Sequence, residues 1–137
     1  MLKTGAEPDS GLCGLTLAAM DQPGLFATMT GVFALHGFSI YSADIFTLRN
    51  GMVLDIFQVS APKDPLFADE TWARVRSSLK YALAGKLSVA YRLEEKRKSP
   101  MARQGAGVPG EVGVNVDNAV TDFHTVVEVT AHGCLAE

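Results

Sequence analysis

Residues 21–26 combine side chains and backbone features that could bind a small zwitterion. The segment follows an apolar run and precedes a helical pattern, so it should begin a helix, whose unpaired amides and partial positive charge can accept a carboxylate. Gly24 would let a ligand approach the main chain closely. Asp21, or carbonyl groups near Ser39 and Ile40, could accept an ammonium group. The residues alone leave open the simpler interpretation that Asp21 caps the helix and Pro23 turns the chain.

Two aspartates, Asp44 and Asp55, could form a general acid/base pair if they lie on one face of a sheet. Catalysis would also require a cleft, a shifted pKa and a third orienting group. Neighbouring aspartates on an open sheet face are more often solvated or bonded across an interface. We therefore predict no catalytic residues.

Composition argues against several other kinds of site. The chain has 12 Lys and Arg against 15 Asp and Glu, and this net charge of -3 disfavours a nucleic-acid-binding domain. No apolar stretch approaches the roughly 18 residues of a membrane span, and acidic residues stand where a signal peptide is basic, which favours the cytoplasm. Because the histidines and cysteines are scattered, we expect no metal ion or other cofactor. These residues are His36, His124, His132, Cys13 and Cys134.

Hydrophobic periodicity predicts the order of the secondary-structure elements. Residues 1–10 are expected to be disordered, and residues 88–110 form a polar connector in which 89–98 can extend as a surface helix. The order βαββαβ, with one extra C-terminal strand, predicts an α+β ferredoxin-like sandwich in which two helices cover an antiparallel sheet. The predicted elements are a strand over 12–19, a helix over 23–36 stopped by Gly37, strands over 38–48 and 52–60, a helix over 68–84, and strands over 112–116 and 125–129.

The two central strands form a hairpin around Asn50 and Gly51, the strongest short hairpin signal in a sequence. A two-residue loop pairs Leu48 with Val53 and thereby assigns each side chain to a face. On this register, one face packs under the helices and carries Ile45, Leu54 and Ile56. The other face is mixed and open, or lies at an interface, and carries Asp44, Phe46, Asp55, Phe57 and Val59.

Several motifs in this order resemble the ACT domain, a small regulatory module that binds amino acids. Residues 21–27 read Asp-x-Pro-Gly-Leu-Phe-Ala, 43–47 Ala-Asp-Ile-Phe-Thr, 51–59 Gly-Met-x-Leu-Asp-x-Phe-x-Val, and 82–87 Ala-Leu-Ala-Gly-Lys-Leu. Together they are most similar to the first of the paired C-terminal ACT domains of the bifunctional uridylyltransferase/uridylyl-removing enzymes, which modify the PII nitrogen-signalling protein. Val-Asp-Asn at 116–118 and Thr-Val-Val-Glu-Val at 125–129 extend the similarity into the second ACT domain.

The resemblance implies an ACT domain over residues 11–118 and the start of a second, truncated ACT unit over 119–137. The resemblance favours ligand binding at the first turn over simple helix capping. It implies that the ligand is an amino acid, L-glutamine in this family, and that no cofactor is bound. Ser39 stands where ACT domains commonly carry asparagine. The implied ligand-binding residues are Asp21, Gln22, Pro23, Gly24, Leu25, Phe26, Ser39 and Ile40.

The implied function is regulatory: the domain would report ligand occupancy to catalytic domains outside this chain, and the chain itself would not be an enzyme. Its partners would be a neighbouring ACT domain or a second copy, and PII only through the full-length enzyme. One alternative is an assembly module that pairs through Phe46, Phe57 and Val59 and binds no metabolite. Another is a small acyl-phosphate hydrolase, which would need an arginine beside the first turn, although the nearest basic residue before Arg49 is Lys3.

Overall fold

The structure is a computed structural model that describes residues 2–6, 11–99, 112–119 and 126–131. The chain divides into two compact units, Met1–Lys96 and Arg97–Glu137. The elements are β1 (Leu2–Ala6), β2 (Leu12–Met20), α1 (Leu25–Leu35), β3 (Ile40–Thr47), β4 (Met52–Ser60), a 3-10 turn (Pro65–Phe67), α2 (Ala68–Leu83), α3 (Val89–Lys98), β5 (Val112–Asp117) and β6 (Val126–Ala131). The helix that we expected within the connector is therefore present.

The first unit contains a four-stranded antiparallel sheet with the order β1-β2-β4-β3. Strands β2 and β3 flank β4 and are joined by α1, and this crossover confirms the predicted ferredoxin-like α+β fold. Strand β1 pairs with the free edge of β2, from Leu2 opposite Leu17 to Ala6 opposite Cys13. Because this pairing orders the backbone of Leu2–Ala6, disorder was the wrong expectation for these residues. Residues 1 and 7–10 lie outside the described part.

The second unit contains the antiparallel pair β5 and β6, with Val112 opposite Ala131 and Asp117 opposite Val126. Both predicted C-terminal strands are thus present, although Thr125 lies outside the described residues. We had placed β5 in the main sheet as its last strand, whereas the structure pairs it with β6.

The core of the first unit lies between the sheet and the helices. Phe57 of β4 packs edge-on against Phe33 of α1, with ring centroids 5.1 Å apart, and Phe38 stacks on Trp72 of α2 at 4.7 Å. Helix α1 ends as predicted at Gly37, which adopts a φ of 79°, while the Phe38 amide donates to the Phe33 carbonyl at 3.0 Å. These contacts fix α1 against the sheet.

The hairpin between β3 and β4 has a three-residue loop rather than the predicted two-residue loop. The Leu48 amide donates to the Met52 carbonyl at 2.7 Å, and Gly51, with a φ of 78°, donates to the Leu48 carbonyl at 3.0 Å. Asn50 Oδ1 accepts the Met52 amide at 3.1 Å, which holds this longer loop closed. As a result Thr47, not Leu48, lies opposite Val53.

This shift of one residue changes which side chains of the two strands share a face, because Ile45 now lies opposite Asp55 and Asp44 lies opposite Ile56. Asp55 and Phe57 are buried on the helix-facing side of β4, together with Val53 and Val59. Ile56, which we had placed under the helices, is 39% exposed on the opposite face. The prediction of an open, mixed surface containing Asp55, Phe57 and Val59 was therefore wrong.

Candidate functional site

A cavity of about 240 Å³ lies where β2 ends and α1 begins. The end of β2 is fixed beside the start of β4, because Met20 lies opposite Met52 and the Asp21 amide donates to the Gly51 carbonyl at 2.9 Å. The end of β3 lies on the other side of β4. The cavity is lined by Asp21, Gln22, Gly24, Leu25, Phe26, Ala27, Ile45, Thr47, Val53 and Asp55.

Helix α1 begins without a side-chain cap. Gly24 adopts left-handed geometry, with a φ of 74°, and no side chain donates or accepts a capping hydrogen bond there. The Leu25 amide donates to the Gln22 carbonyl at 3.1 Å. By helical geometry, the following amides of Phe26 and Ala27 have no acceptor within the helix. The alternative in which Asp21 only caps the helix is therefore wrong, and the positive end of α1 remains available beside the cavity.

Asp55 is a buried carboxylate in the wall of this cavity. The residue is 1% exposed, and neither Oδ1 nor Oδ2 has a hydrogen-bond partner among the described residues. Burial raises the pKa of Asp55, and the nearby charge of Asp21 raises it further. Both acidic groups line the cavity, so its charged side chains favour a cationic group.

The possible acid/base pair of Asp44 and Asp55 does not form. Asp44 lies opposite Ile56 in the strand ladder, so it points away from the face that carries Asp55. The two carboxylates are thus separated by the sheet. These two residues therefore do not form the general acid/base pair that was considered from the sequence.

The structure brings together five of the eight predicted ligand-binding residues: Asp21, Gln22, Gly24, Leu25 and Phe26 line the cavity. Pro23 belongs to the same turn but is absent from the lining. Ser39 and Ile40 lie at the opposite end of the sheet, where Ile40 faces Val59 and the Ser60 amide donates to the Ser39 carbonyl at 2.8 Å. At the usual strand rise, Ile40 is roughly 23 Å along β3 from Thr47.

Asp55 is the functional candidate that sequence reasoning missed. Its signal was present in the alternation of Val53, Asp55, Phe57 and Val59, in which one charged residue occupies a series of apolar positions. We had taken that charge as evidence for the open face. In the structure the helices pack on this series instead, and Asp55 is buried together with its apolar neighbours Phe57 and Val59.

A second cavity, about 590 Å³, lies on the helical side of the first unit. His36 Nε2 and Ser78 Oγ are 2.9 Å apart at its edge, and burial lowers the pKa of His36, as do the charges of Lys96 and Arg74. Arg74 and Lys86 give this cavity a basic lining, in contrast to the acidic cavity at the start of α1. Its full lining is His36, Ala73, Arg74, Ser77, Ser78, Tyr81, Lys86 and Leu87.

The described residues contain neither a group of metal-binding side chains nor a helix that could span a membrane. Within residues 2–6, 11–99, 112–119 and 126–131, no three histidine, cysteine or acidic side chains are grouped so that they could hold a metal ion. In that same part of the chain, no helix has the length and apolar character needed to cross a membrane.

Comparison with known proteins identifies relatives of this chain. It is 33% identical over 123 residues to the bifunctional uridylyltransferase/uridylyl-removing enzyme of Gluconobacter oxydans, a match that covers 89% of this chain and 13% of that enzyme. The enzyme of the same name from Azospirillum brasilense is 34% identical over 117 residues, or 84% of this chain and 12% of the enzyme. The chain is homologous to a C-terminal region of this enzyme family. The resemblance read from the sequence motifs is thereby confirmed.

The homology covers only a small part of the related enzymes. The Erythrobacter litoralis enzyme, 33% identical over 126 residues, also matches over 91% of this chain but only 14% of its own length. No protein-family model matches the chain, and no solved structure matches it. The homology therefore relates this chain to one region of an enzyme of nitrogen regulation, and not to the enzyme as a whole.

Proposed function

We propose that this chain is a regulatory domain that senses an amino acid, with L-glutamine as the ligand. The observation that carries the proposal is the cavity of about 240 Å³ at the uncapped start of α1. Drug-sized ligands usually occupy roughly 300–1,000 Å³, so this cavity is suited to a small metabolite. Its position agrees with the segment 21–26 that the sequence motifs implicate.

The cavity offers complementary groups to an amino acid. The amides of Phe26 and Ala27, at the positive end of α1, can donate to the ligand carboxylate. Asp21 and Asp55 provide negative charge elsewhere in the lining, while Phe26, Ile45 and Val53 provide apolar surface. This combination suits a ligand that carries both charges and an uncharged side chain, as glutamine does.

Ser39 and Ile40 have a different role in this proposal. They are too far along β3 to reach a ligand in the cavity of their own domain. They would contact a ligand in the cavity of a neighbouring ACT domain or a second copy of the chain, so that the complete site forms between paired domains. Ligand binding would then favour one arrangement of the pair, and the resulting control cannot exceed the difference in ligand affinity between arrangements.

In this proposal the chain itself catalyses no reaction. It would act in the cytoplasm on the catalytic domains of a longer enzyme, and on PII only through that enzyme. The matched regions amount to 12–14% of the related enzymes, which supports a role as an accessory regulatory region.

Titration of the chain with amino acids tests the proposal. Isothermal titration calorimetry and amide NMR shifts should show saturable binding of L-glutamine, with shifts centred on Gly24, Leu25 and Phe26. D-Glutamine is the matched control, since it carries the same groups in the opposite configuration. Absence of saturable shifts at these amides with every L-amino acid would refute the proposed function.

The alternative function as an assembly module is favoured by a different observation. The face of the sheet opposite the helices exposes apolar side chains: Met20 is 63% exposed, Phe46 50% and Ile56 39%. This surface differs from the one expected from the sequence, because Phe57 and Val59 are fully buried. Sedimentation measurements test it: concentration-dependent dimers that dissociate in Phe46→Ser, with no amino acid binding, would support assembly as the sole function.

A further inference from the structure

We propose that Asp55 binds the α-ammonium group of the ligand and thereby makes the site selective for amino acids over the same carboxylic acids without an amine. This inference rests on the amino-acid-sensing function proposed above and adds the residue that recognises the amine. The sequence had offered Asp21 or carbonyl groups near Ser39 and Ile40 for this role. The structure points to Asp55 instead.

The first argument is the environment of the carboxylate. Asp55 is 1% exposed, and both of its oxygens lack a hydrogen-bond partner among the described residues. Buried carboxylates in folded proteins are normally paired or hydrogen-bonded, because burying an unpaired charge is costly. An ammonium ion bound in the cavity would supply both the missing charge and the missing donors.

The second argument is the arrangement of charge around the cavity. Asp55 lies in the sheet wall on β4, while the uncapped start of α1 lies in the opposing helical wall. An α-amino acid can span these walls, with its carboxylate at the amides of Phe26 and Ala27 and its ammonium at Asp55. Among the described residues the lining contains no lysine or arginine that could pair with Asp55.

Binding should consequently depend on pH. Among the described residues that line the cavity, the one charged group besides Asp55 is Asp21, which follows β2. The lining residues from α1, β3 and the rest of β4 are uncharged. Burial raises the pKa of Asp55, and the charge of Asp21 raises it further. An ammonium ligand prefers the ionised carboxylate, so affinity should fall as the pH is lowered through the titration of Asp55, with protons released on binding.

The test uses the full chain, L-glutamine, and 4-carbamoylbutanoic acid, which is glutamine without its α-amine. Truncating one partner of a buried charge pair typically costs at least about thirty-fold in affinity. We expect wild-type protein to bind glutamine at least about thirty-fold more tightly than the amine-free acid. Asp55→Asn should weaken glutamine binding by a similar factor and remove most of the preference and the pH dependence.

Asp44→Asn is the matched control, since Asp44 is on the neighbouring strand but on the opposite face. It should bind glutamine as the wild type does. If Asp55→Asn retains wild-type affinity, or if wild-type protein binds the amine-free acid equally well, the role of Asp55 is refuted while amino acid sensing stands. The ligand comparison on wild-type protein needs no variant, so equal binding of the two compounds would refute the role of Asp55 even if Asp55→Asn folds poorly. Wild-type protein that binds no amino acid refutes the proposed function and this inference together.

Discussion

Replacing Asp55 with asparagine should stabilise the ligand-free protein, because the carboxylate is buried without a partner. Asparagine keeps the shape of the side chain and removes its charge. Burial and the charge of Asp21 raise the pKa of Asp55 in the folded state, so the folded protein holds this proton more tightly than the unfolded chain does. Above the unfolded pKa of about 3.9, ionisation of Asp55 therefore disfavours folding, and stability falls as the pH rises through the folded-state pKa.

The magnitude follows from two opposing contributions. Each unit by which the pKa is raised corresponds to about 1.4 kcal/mol lost from the free energy of unfolding once the pH exceeds both values. The new amide is itself buried and loses about 1–3 kcal/mol if it finds no partner. We expect the first contribution to exceed the second near neutral pH, so that Asp55→Asn has the higher free energy of unfolding there.

Urea denaturation of the ligand-free proteins between about pH 4.5 and pH 8 would measure this effect. The advantage of Asp55→Asn over wild type should grow with pH and approach zero or reverse toward the acid end. Asp44→Asn, which removes a carboxylate from the opposite face of the sheet, is the matched control. A destabilising effect of Asp55→Asn at pH 8 would contradict the expected gain, and a difference that does not change with pH would contradict a raised pKa of Asp55. Either result would refute the reasoning.

Three further predictions test other parts of the structure. A Cβ on Gly31 would lie 2.5 Å from the Val89 side chain, so Gly31→Ala should lower the free energy of unfolding, measured in urea, by roughly 1–3 kcal/mol. A double-mutant cycle with Val89→Ala should be strongly non-additive, and additive effects would contradict this contact. Gly51→Ala should lower the free energy of unfolding by roughly 1–2 kcal/mol, because the φ of Gly51 is 78°. Gly51→Asn should lower it less, and equal losses would argue against left-handed geometry at this position. NMR titration should give His36 a pKa below its ordinary 6.5, and Lys96→Gln should raise it; an unchanged value in the variant would exclude the predicted influence of Lys96.

The sequence predicted the fold more reliably than the faces of its central strands. The helix at 68–84 and the glycine stop at Gly37 depend on local patterns that tertiary packing reinforces. The pairing of β1 with β2 could not be read from residues 2–6, because it depends on a free strand edge that exists only after the sheet has formed. Periodicity also failed on β4, because both of its faces carry apolar residues, Leu54 and Ile56 on one and Val53 and Phe57 on the other.

The site shows the same division between local and tertiary information. The turn at residues 21–26 was predicted because Pro23 and Gly24 interrupt a strand and precede a helix. Asp55 was assigned to solvent because a charged side chain is normally exposed, whereas the structure buries it on the same face of β4 as Val53 and Phe57. Departures from such local rules are expected at functional sites, where stability is lost to place a reactive or binding group.

The unpaired charge of Asp55 links the stability of the empty domain to ligand recognition. If an ammonium group neutralises this charge, ligand binding also removes a cost from the folded state, and the domain is stabilised in proportion to occupancy. Asp55→Asn would remove the cost and the recognition together, leaving a domain that is more stable when empty but less responsive to ligand. A variant that gained stability and kept its full response would separate the two effects. The buried carboxylate would then need an explanation other than ligand binding.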